Sequence, residues 1–192
     1  MKVAAQKYLE LLENSNELCF WDIEATGLKG DYDSILCISI LPYYGNPISF
    51  SVSEVGNDKE VVEQAKNVLE QFSMWCGYYS RGYDIRMLNT RLFKWGIDFV
   101  KPSHHLDLYY QLKSKLSTNR RSQAHYMNWF QDLGIEEDAE MFKKPMGANR
   151  WSEMAFRIKD HMPEMVDRCE QDVKGLRSLY KHCKHVIGDV TK

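Results

Sequence analysis

No stretch of this 192-residue chain approaches the ~20 consecutive apolar residues of a membrane-spanning helix. The opening segment, MKVAAQKYLELLENSNEL, is charged and amphipathic and has no unbroken apolar run of the secretory kind. Cysteine is sparse and unpatterned. Cys19, Cys37, Cys76, Cys169 and Cys183 are odd in number and contain no C-x-x-C pair, which argues against a disulfide framework and against a zinc site. Three of them sit in apolar, strand-like runs, where cysteine behaves as a small buried hydrophobe. A dominant charge is also missing. A formal net charge of −2 does not suit a simple nucleic-acid coat protein, which would be basic. It leaves room for an enzyme that meets nucleic acid through bound cations, because the ions then carry the local positive charge. There are no internal repeats and no low-complexity segment. These absences predict a soluble protein of a reducing compartment: the cytoplasm, or the reducing interior of a host cell.

What is present suffices for one folded domain. A hydrophobic content of 44% and an aromatic content of 12% can fill a core at this length. The expected organisation is a single domain over 1–192, with a helical extension at 1–16 and a core at 17–186. Val3, Tyr8, Leu11 and Leu12 suggest the first helix, which ENSN breaks. LCFWDIE is a buried strand, GLKGDYDS a turn, ILCISILPYY a second strand and ISFSVSEV a third that alternates. Asn57 with Glu60 three residues on has the pattern of a capping box. Val61, Ala65, Val68 and Phe72 then follow at helical spacing. MWCGYYS is a fourth strand. DIRMLNTRLFKWG is a helix with Ile85, Leu88, Leu92 and Trp95 on one face, closed by Gly96. HHLDLYY reads as a fifth strand entering a helix. The last helix carries Val166, Cys169, Val173, Leu176, Tyr180 and Cys183 as an apolar stripe. A meander, βαβ units and a closing helix predict an α/β fold with a mixed five-stranded sheet and flanking helices.

Two acids interrupt the apolar first strand. Asp22 and Glu24 are two residues apart, so both point to one face. Asp84 opens the helix after the fourth strand, where it can serve as a plain cap. Asp172 lies beside the apolar stripe of the last helix, where a solvated role is equally open. The topology can bring all four to one cleft. Gathered there, the carboxylates would raise one another's pKa values unless cations bind. Hard oxygen ligands suit Mg²⁺ or Mn²⁺.

The chain resembles the DEDD superfamily of 3′–5′ exonucleases, which have the RNase H-like fold and include polymerase proofreading domains and ribonuclease D. FWDIEATGL is similar to the family's D-I-E-T-T-G-L. YYSRGYDIRMLNTRL resembles N-x-x-x-F-D with its following helix. RCEQDVKGL resembles Y-C-x-x-D-V. HHLDLYYQLK and KKPMGANRW also look like family segments, and the order holds from Leu18 to about Cys183. The resemblance implies two Mg²⁺ or Mn²⁺ ions held by Asp22, Glu24, Asp84 and Asp172. Asp22 would bridge both, Glu24 and Asp172 would complete one site, and Asp84 would act mainly through water on the other. It also implies a 3′–5′ direction and a single-stranded substrate.

The pattern departs from the family at two points. At the second motif the family's Asn is absent, and Tyr79 and Ser80 stand near its place. At the third motif the chain is nearest the tyrosine-type branch, yet Arg168 occupies the Tyr position and Asp167 the position of the alternative His. Arg168 sits one helical turn from Asp172 on the same face. It could pair with Asp172, hold a phosphate bidentately, form a simple surface ion pair or mark a lost activity. By resemblance, backbone amides at Thr26 and Gly27 would face the terminal nucleotide, and Leu28 would wedge against its base. Basic residues recur at Lys113, Lys115, Arg120, Arg121 and His125, and at Lys143, Lys144 and Arg150 beside Trp151. They suit either a phosphate backbone or a solvated surface. His104 and His105 read as structural, and Trp75, Trp95, Trp129 and Phe130 as core. The functional expectation is a metal-dependent 3′–5′ exonuclease acting on single-stranded DNA or RNA 3′ ends, DNA slightly favoured, and releasing nucleoside monophosphates. A replication or repair partner would accompany it, and no membrane. The alternatives are a catalytically weakened module that binds nucleic-acid ends or a protein, and an endonuclease on the same fold.

Overall fold

The computed structural model describes residues 2–133, 153 and 157–188. Helix α1 spans Lys2–Asn14 and strand β1 Leu18–Ala25. Strands β2 (Ile35–Pro42) and β3 (Ile48–Ser51) follow, then helix α2 (Lys59–Leu69) and strand β4 (Met74–Gly77). Helix α3 (Asp84–Lys94), strand β5 (His104–Asp107), and helices α4 (Leu108–Lys113), α5 (Gln123–Asp132) and α6 (Ile158–Cys183) complete the described elements. The five strands form one sheet in the order β3-β2-β1-β4-β5. β1–β2 and β2–β3 are antiparallel; β1–β4 and β4–β5 are parallel. This is the mixed sheet with flanking helices that the sequence predicts.

Each sheet face has its own apolar layer. On one, Cys19, Trp21 and Ile23 of β1 pack with Val61, Val62, Ala65 and Leu69 of α2 and Leu88 and Leu92 of α3. On the other, Leu18 and Phe20 pack with Leu9 and Leu12 of α1, Tyr126 and Phe130 of α5, and Val173, Leu176 and Tyr180 of α6. The alternation along β1 produces this division directly. Each such side chain, fully buried, contributes ~1.5–3 kcal/mol. α1 is tied to the end of α6 as well. Glu13 accepts hydrogen bonds from Tyr180 Oη at 2.7 Å and from Lys184 Nζ at 2.9 Å.

Three local expectations differ. Leu11 is 62% exposed, and Leu9 with Leu12 forms the buried face of α1. β3 ends at Ser51 rather than running on through SEV. The cap of α2 is Asp58, not Asn57, and its side chain makes no capping bond. That carboxylate is fully buried and serves a different purpose. It accepts from Arg91 Nε at 2.7 Å, Arg91 Nη2 at 2.8 Å, Trp95 Nε1 at 2.8 Å and the Ile35 amide at 2.9 Å. Arg91 Nη1 donates onward to the carbonyls of Gly30 and Asp33, at 3.0 and 2.8 Å. The pair thus clamps α2, α3 and the start of β2 to the loop that follows the two acids of β1.

Candidate active site

β4 pairs with β1 only from Leu18 to Phe20. Beyond Phe20 the β4 chain turns off through Gly77 and Tyr79 into α3, which leaves the end of β1 without a neighbour strand on that side. Asp22 and Glu24 lie on this stretch. On the other side β2 remains paired, Asp22 opposite Ser39 and Glu24 opposite Cys37. The register shifts between Glu24 and Ala25. Such an irregularity re-aims side chains at a strand end.

The space left open is a cavity of about 580 Å³. It is lined by Asp22, Glu24, Asp84, Asp172, Arg168 and Leu28 among others. The structure therefore brings the four acids singled out in the sequence to one cleft. Carboxylate oxygens of Asp22, Glu24 and Asp172 lie within 4.8 Å of one another, and all three residues are half-buried. α6 carries Asp172 there because its apolar stripe packs down on the sheet, with Cys169 Sγ 3.5 Å from the Asp22 carbonyl. An all-oxygen, multiply charged donor set this tight fits a hard divalent cation.

Asp84 is the first residue of α3 and is buried. The Ile23 amide, between the two acids of β1, donates to its carboxylate. Burial pushes its pKa up to about 7, against these backbone hydrogen bonds; the charges of Asp107 and Glu24 add to the rise. Carboxyls shifted in this way by burial and neighbouring charge cluster at functional sites.

Arg168 takes part in the cluster. Its Nε stands 3.5 Å from Glu24 Oε1, and its side chain is only 20% exposed. The simple surface pair considered from the sequence gives way to a cation set against Glu24 inside the cleft.

The loop after β1 is organised by its own short contacts. Asp33 accepts from the Lys29 amide at 2.8 Å and from Thr26 Oγ1 at 3.3 Å. Its carboxyl would meet a Cβ on Gly27 at 2.5 Å, so any larger residue there would displace Asp33 from these bonds. Tyr83 Oη donates to the Gly27 carbonyl at 2.8 Å, tying this turn to the residue just before Asp84. Leu28 is 77% exposed at the cavity rim. Lys143 and Lys144, with Arg150 and Trp151, lie outside the described residues.

The sequence reading missed Asp107. It caps α4 by accepting from the Tyr109 amide at 3.1 Å, and it also accepts from the Tyr79 and Arg81 amides, both at 2.9 Å. It holds the turn that forms one wall of the cleft. The signal was an acid at a strand-to-helix junction in HHLDLYY. His105 is structural, as expected. It is bonded to Ser80 Oγ at 2.9 Å and Arg81 Nε at 3.3 Å, and burial, assisted by the Arg81 charge, lowers its pKa to about 4. His104 likewise meets Tyr8 Oη at 3.1 Å. Tyr78, Tyr79 and Tyr83 complete the wall of the cavity.

The acidic cleft thus sits at the end of the central strand of a mixed α/β sheet. The RNase_H_2 profile of the RNase_H superfamily matches residues 19–184, and the chain belongs to that superfamily. No curated protein matches it. Among solved structures, the family B DNA polymerase from the hyperthermophilic archaeon Pyrobaculum calidifontis shares the fold, with a TM-score of 0.68 at 15% identity. The match covers 87% of this chain and 24% of the polymerase chain, so this chain spans about a quarter of that protein. The family match shows the superfamily, and the polymerase likeness shows the shared RNase H-like fold. No described helix is long and apolar enough to cross a membrane.

Proposed function

We propose that this chain is a divalent-metal-dependent 3′–5′ exonuclease that hydrolyses single-stranded nucleic acid, DNA slightly favoured over RNA, to nucleoside monophosphates. The observation that carries the reading is the meeting of Asp22, Glu24 and Asp172 within 4.8 Å in the cavity that Asp84 also lines. Residues 17–186 form the catalytic core and residues 1–16 its extension, within one domain suited to a reducing compartment. The substrate is a free 3′ end, supplied by a replication or repair partner.

Asp22, Glu24 and Asp172 would hold one Mg²⁺ or Mn²⁺, and Asp84 would serve a second. Bound there, the ions would supply a nucleophilic water at neutral pH and stabilise the leaving oxygen of a phosphodiester. The chain's own residues do the rest. Asp84 orders solvent on its side of the cleft. The Thr26 amide is spent on the Ser34 carbonyl at 3.0 Å, so of the two amides expected there it is Gly27 that presents its own to the terminal nucleotide. Leu28, exposed at the rim, wedges against its base. Lys143 and Lys144 are candidate contacts to the phosphate backbone. Arg168 remains protonated, so it cannot be a general base. It restrains Glu24 and can meet the scissile phosphate bidentately.

The test uses 5′-labelled DNA and RNA strands with Mg²⁺ or Mn²⁺. A ladder shortening from the 3′ end is the expected result. Internal cuts would replace this reading with an endonuclease. A mobility shift without cleavage would favour a weakened module that binds nucleic-acid ends, the second reading, which the placement of Arg168 against Glu24 supports.

A further inference from the structure

We infer that Tyr79, with Tyr110 beside it, is a stacking platform for a nucleobase of the strand that enters the acidic cavity; this rests on reading that cavity as a nucleic-acid site. Tyr79 has φ +61°, in the left-handed region where a bulky side chain is rare and Gly or Asn is at ease. The conformation is held by surrounding bonds. Asp107 accepts from the Tyr79 and Arg81 amides, and the Gly82 and Tyr83 amides donate to the Tyr79 carbonyl at 2.9 and 3.1 Å. A strained residue that its surroundings hold this firmly points to function.

The ring position is also built. A Cβ on Gly82 would come within 2.4 Å of the Tyr79 ring, so the ring lies on bare backbone. Tyr109 supports it edge-on at 5.0 Å. This arrangement does not bury the ring: Tyr79 is 45% exposed and lines the cavity that holds the acids. A packing role would leave less of it in solvent. Tyr110, 41% exposed, lies 5.9 Å away at an interplanar angle of 31°. It lines a second cavity of about 250 Å³ together with Arg81, Asp107, Gln111 and Lys115. The tyrosine pair therefore joins the acidic cleft to one that offers two cations, Arg81 and Lys115, beside the single acid Asp107. A single strand with its end at Asp22 and Glu24 lays a base on Tyr79 and carries its phosphates toward Arg81 and Lys115. A π-face accepts every base, so the platform grips single strands with little base preference.

The experiment measures binding of 5′-labelled strands by anisotropy in EDTA and in Ca²⁺. The strands end in ordinary nucleotides or in two abasic ones. Tyr79→Ala should weaken binding of the ordinary strand roughly 10- to 100-fold and leave the abasic strand unchanged. Tyr79→Phe should bind like wild type, and all four terminal bases should respond alike. Tyr79→Asn should melt no lower than wild type, because asparagine tolerates φ +61° and the backbone strain is relieved. If Tyr79→Ala keeps the wild-type preference for ordinary over abasic ends, or Tyr79→Asn melts several degrees lower, the platform is overturned while the nuclease reading stands. A wild type that binds and cleaves no strand overturns both.

Discussion

Removing the Asp58 carboxylate should destabilise the whole protein and loosen the site. Asp58 is fully buried and Arg91 is 1% exposed. Four donors converge on Asp58, and Arg91 spends its remaining nitrogen on the carbonyls of Gly30 and Asp33. In Asp58→Ala the guanidinium stays buried without its counter-charge, and the Trp95 indole and the Ile35 amide lose their acceptor. Breaking a buried pair by removing one partner costs about 3–5 kcal/mol. At 2–4 °C per kcal/mol for a domain of this size, the midpoint should fall by roughly 6–20 °C. The double variant Asp58→Ala/Arg91→Met should recover part of the loss, since no orphaned charge remains. Thermal melts followed by circular dichroism on the four species of this cycle give the coupling directly. A single variant that melts within 2 °C of wild type, or a double variant less stable than the sum of the singles, would refute the clamp. Because Arg91 also pins the loop that carries Leu28, Asp58→Ala should lose cleavage at temperatures where it remains folded.

Asp84 and Arg168 give two further tests. The Asp84 pKa is raised, so the folded metal-free protein keeps a proton that the unfolded chain releases above its ordinary value of 3.8. Stability from this group is therefore fully present only below pH 3.8 and is lost as pH rises to about 7, at a cost of a few kcal/mol. Asp84→Asn should raise the metal-free melting midpoint at pH 8 and change it little at pH 4; equal shifts at both would contradict the assignment. Arg168→Ala removes the cation beside Glu24, so calorimetry should show tighter Mn²⁺ binding. Single-turnover cleavage at saturating metal should slow by roughly 10–100-fold, as for a supporting residue. Unchanged Mn²⁺ affinity would mean that Arg168 does not compete for the acidic cluster.

The fold was legible because most of its elements state their period openly. The apolar stripe of α6 and the buried run of β1 fixed the two apolar layers, and Gly96, with φ +69°, closes α3 as its position predicts. The acids were legible as a pattern on β1 and by resemblance elsewhere. Their meeting depends on β4 leaving β1 after Phe20, which no local pattern announces. Long-range polar partners were the illegible part. Asn57 and Asp58 look alike as caps, and what separates them is Arg91, 33 residues away. Asp107 looks like a local cap, and only the fold shows it holding the turn at Tyr79. Arg168 reaches Glu24 on another element, because its helix packs over the end of β1.

The most direct test of the central claim is single-turnover cleavage of a single-stranded 3′ end, titrated with Mn²⁺, for wild type, Asp22→Asn and Glu24→Gln. The account predicts that wild type shortens the strand from its 3′ end only when Mn²⁺ or Mg²⁺ is present. Each variant should fold but lose at least the ~10–100-fold seen when mere supporting residues of a metal site are removed. A folded Asp22→Asn that cleaves like wild type, or wild-type cleavage that persists in EDTA, would contradict it.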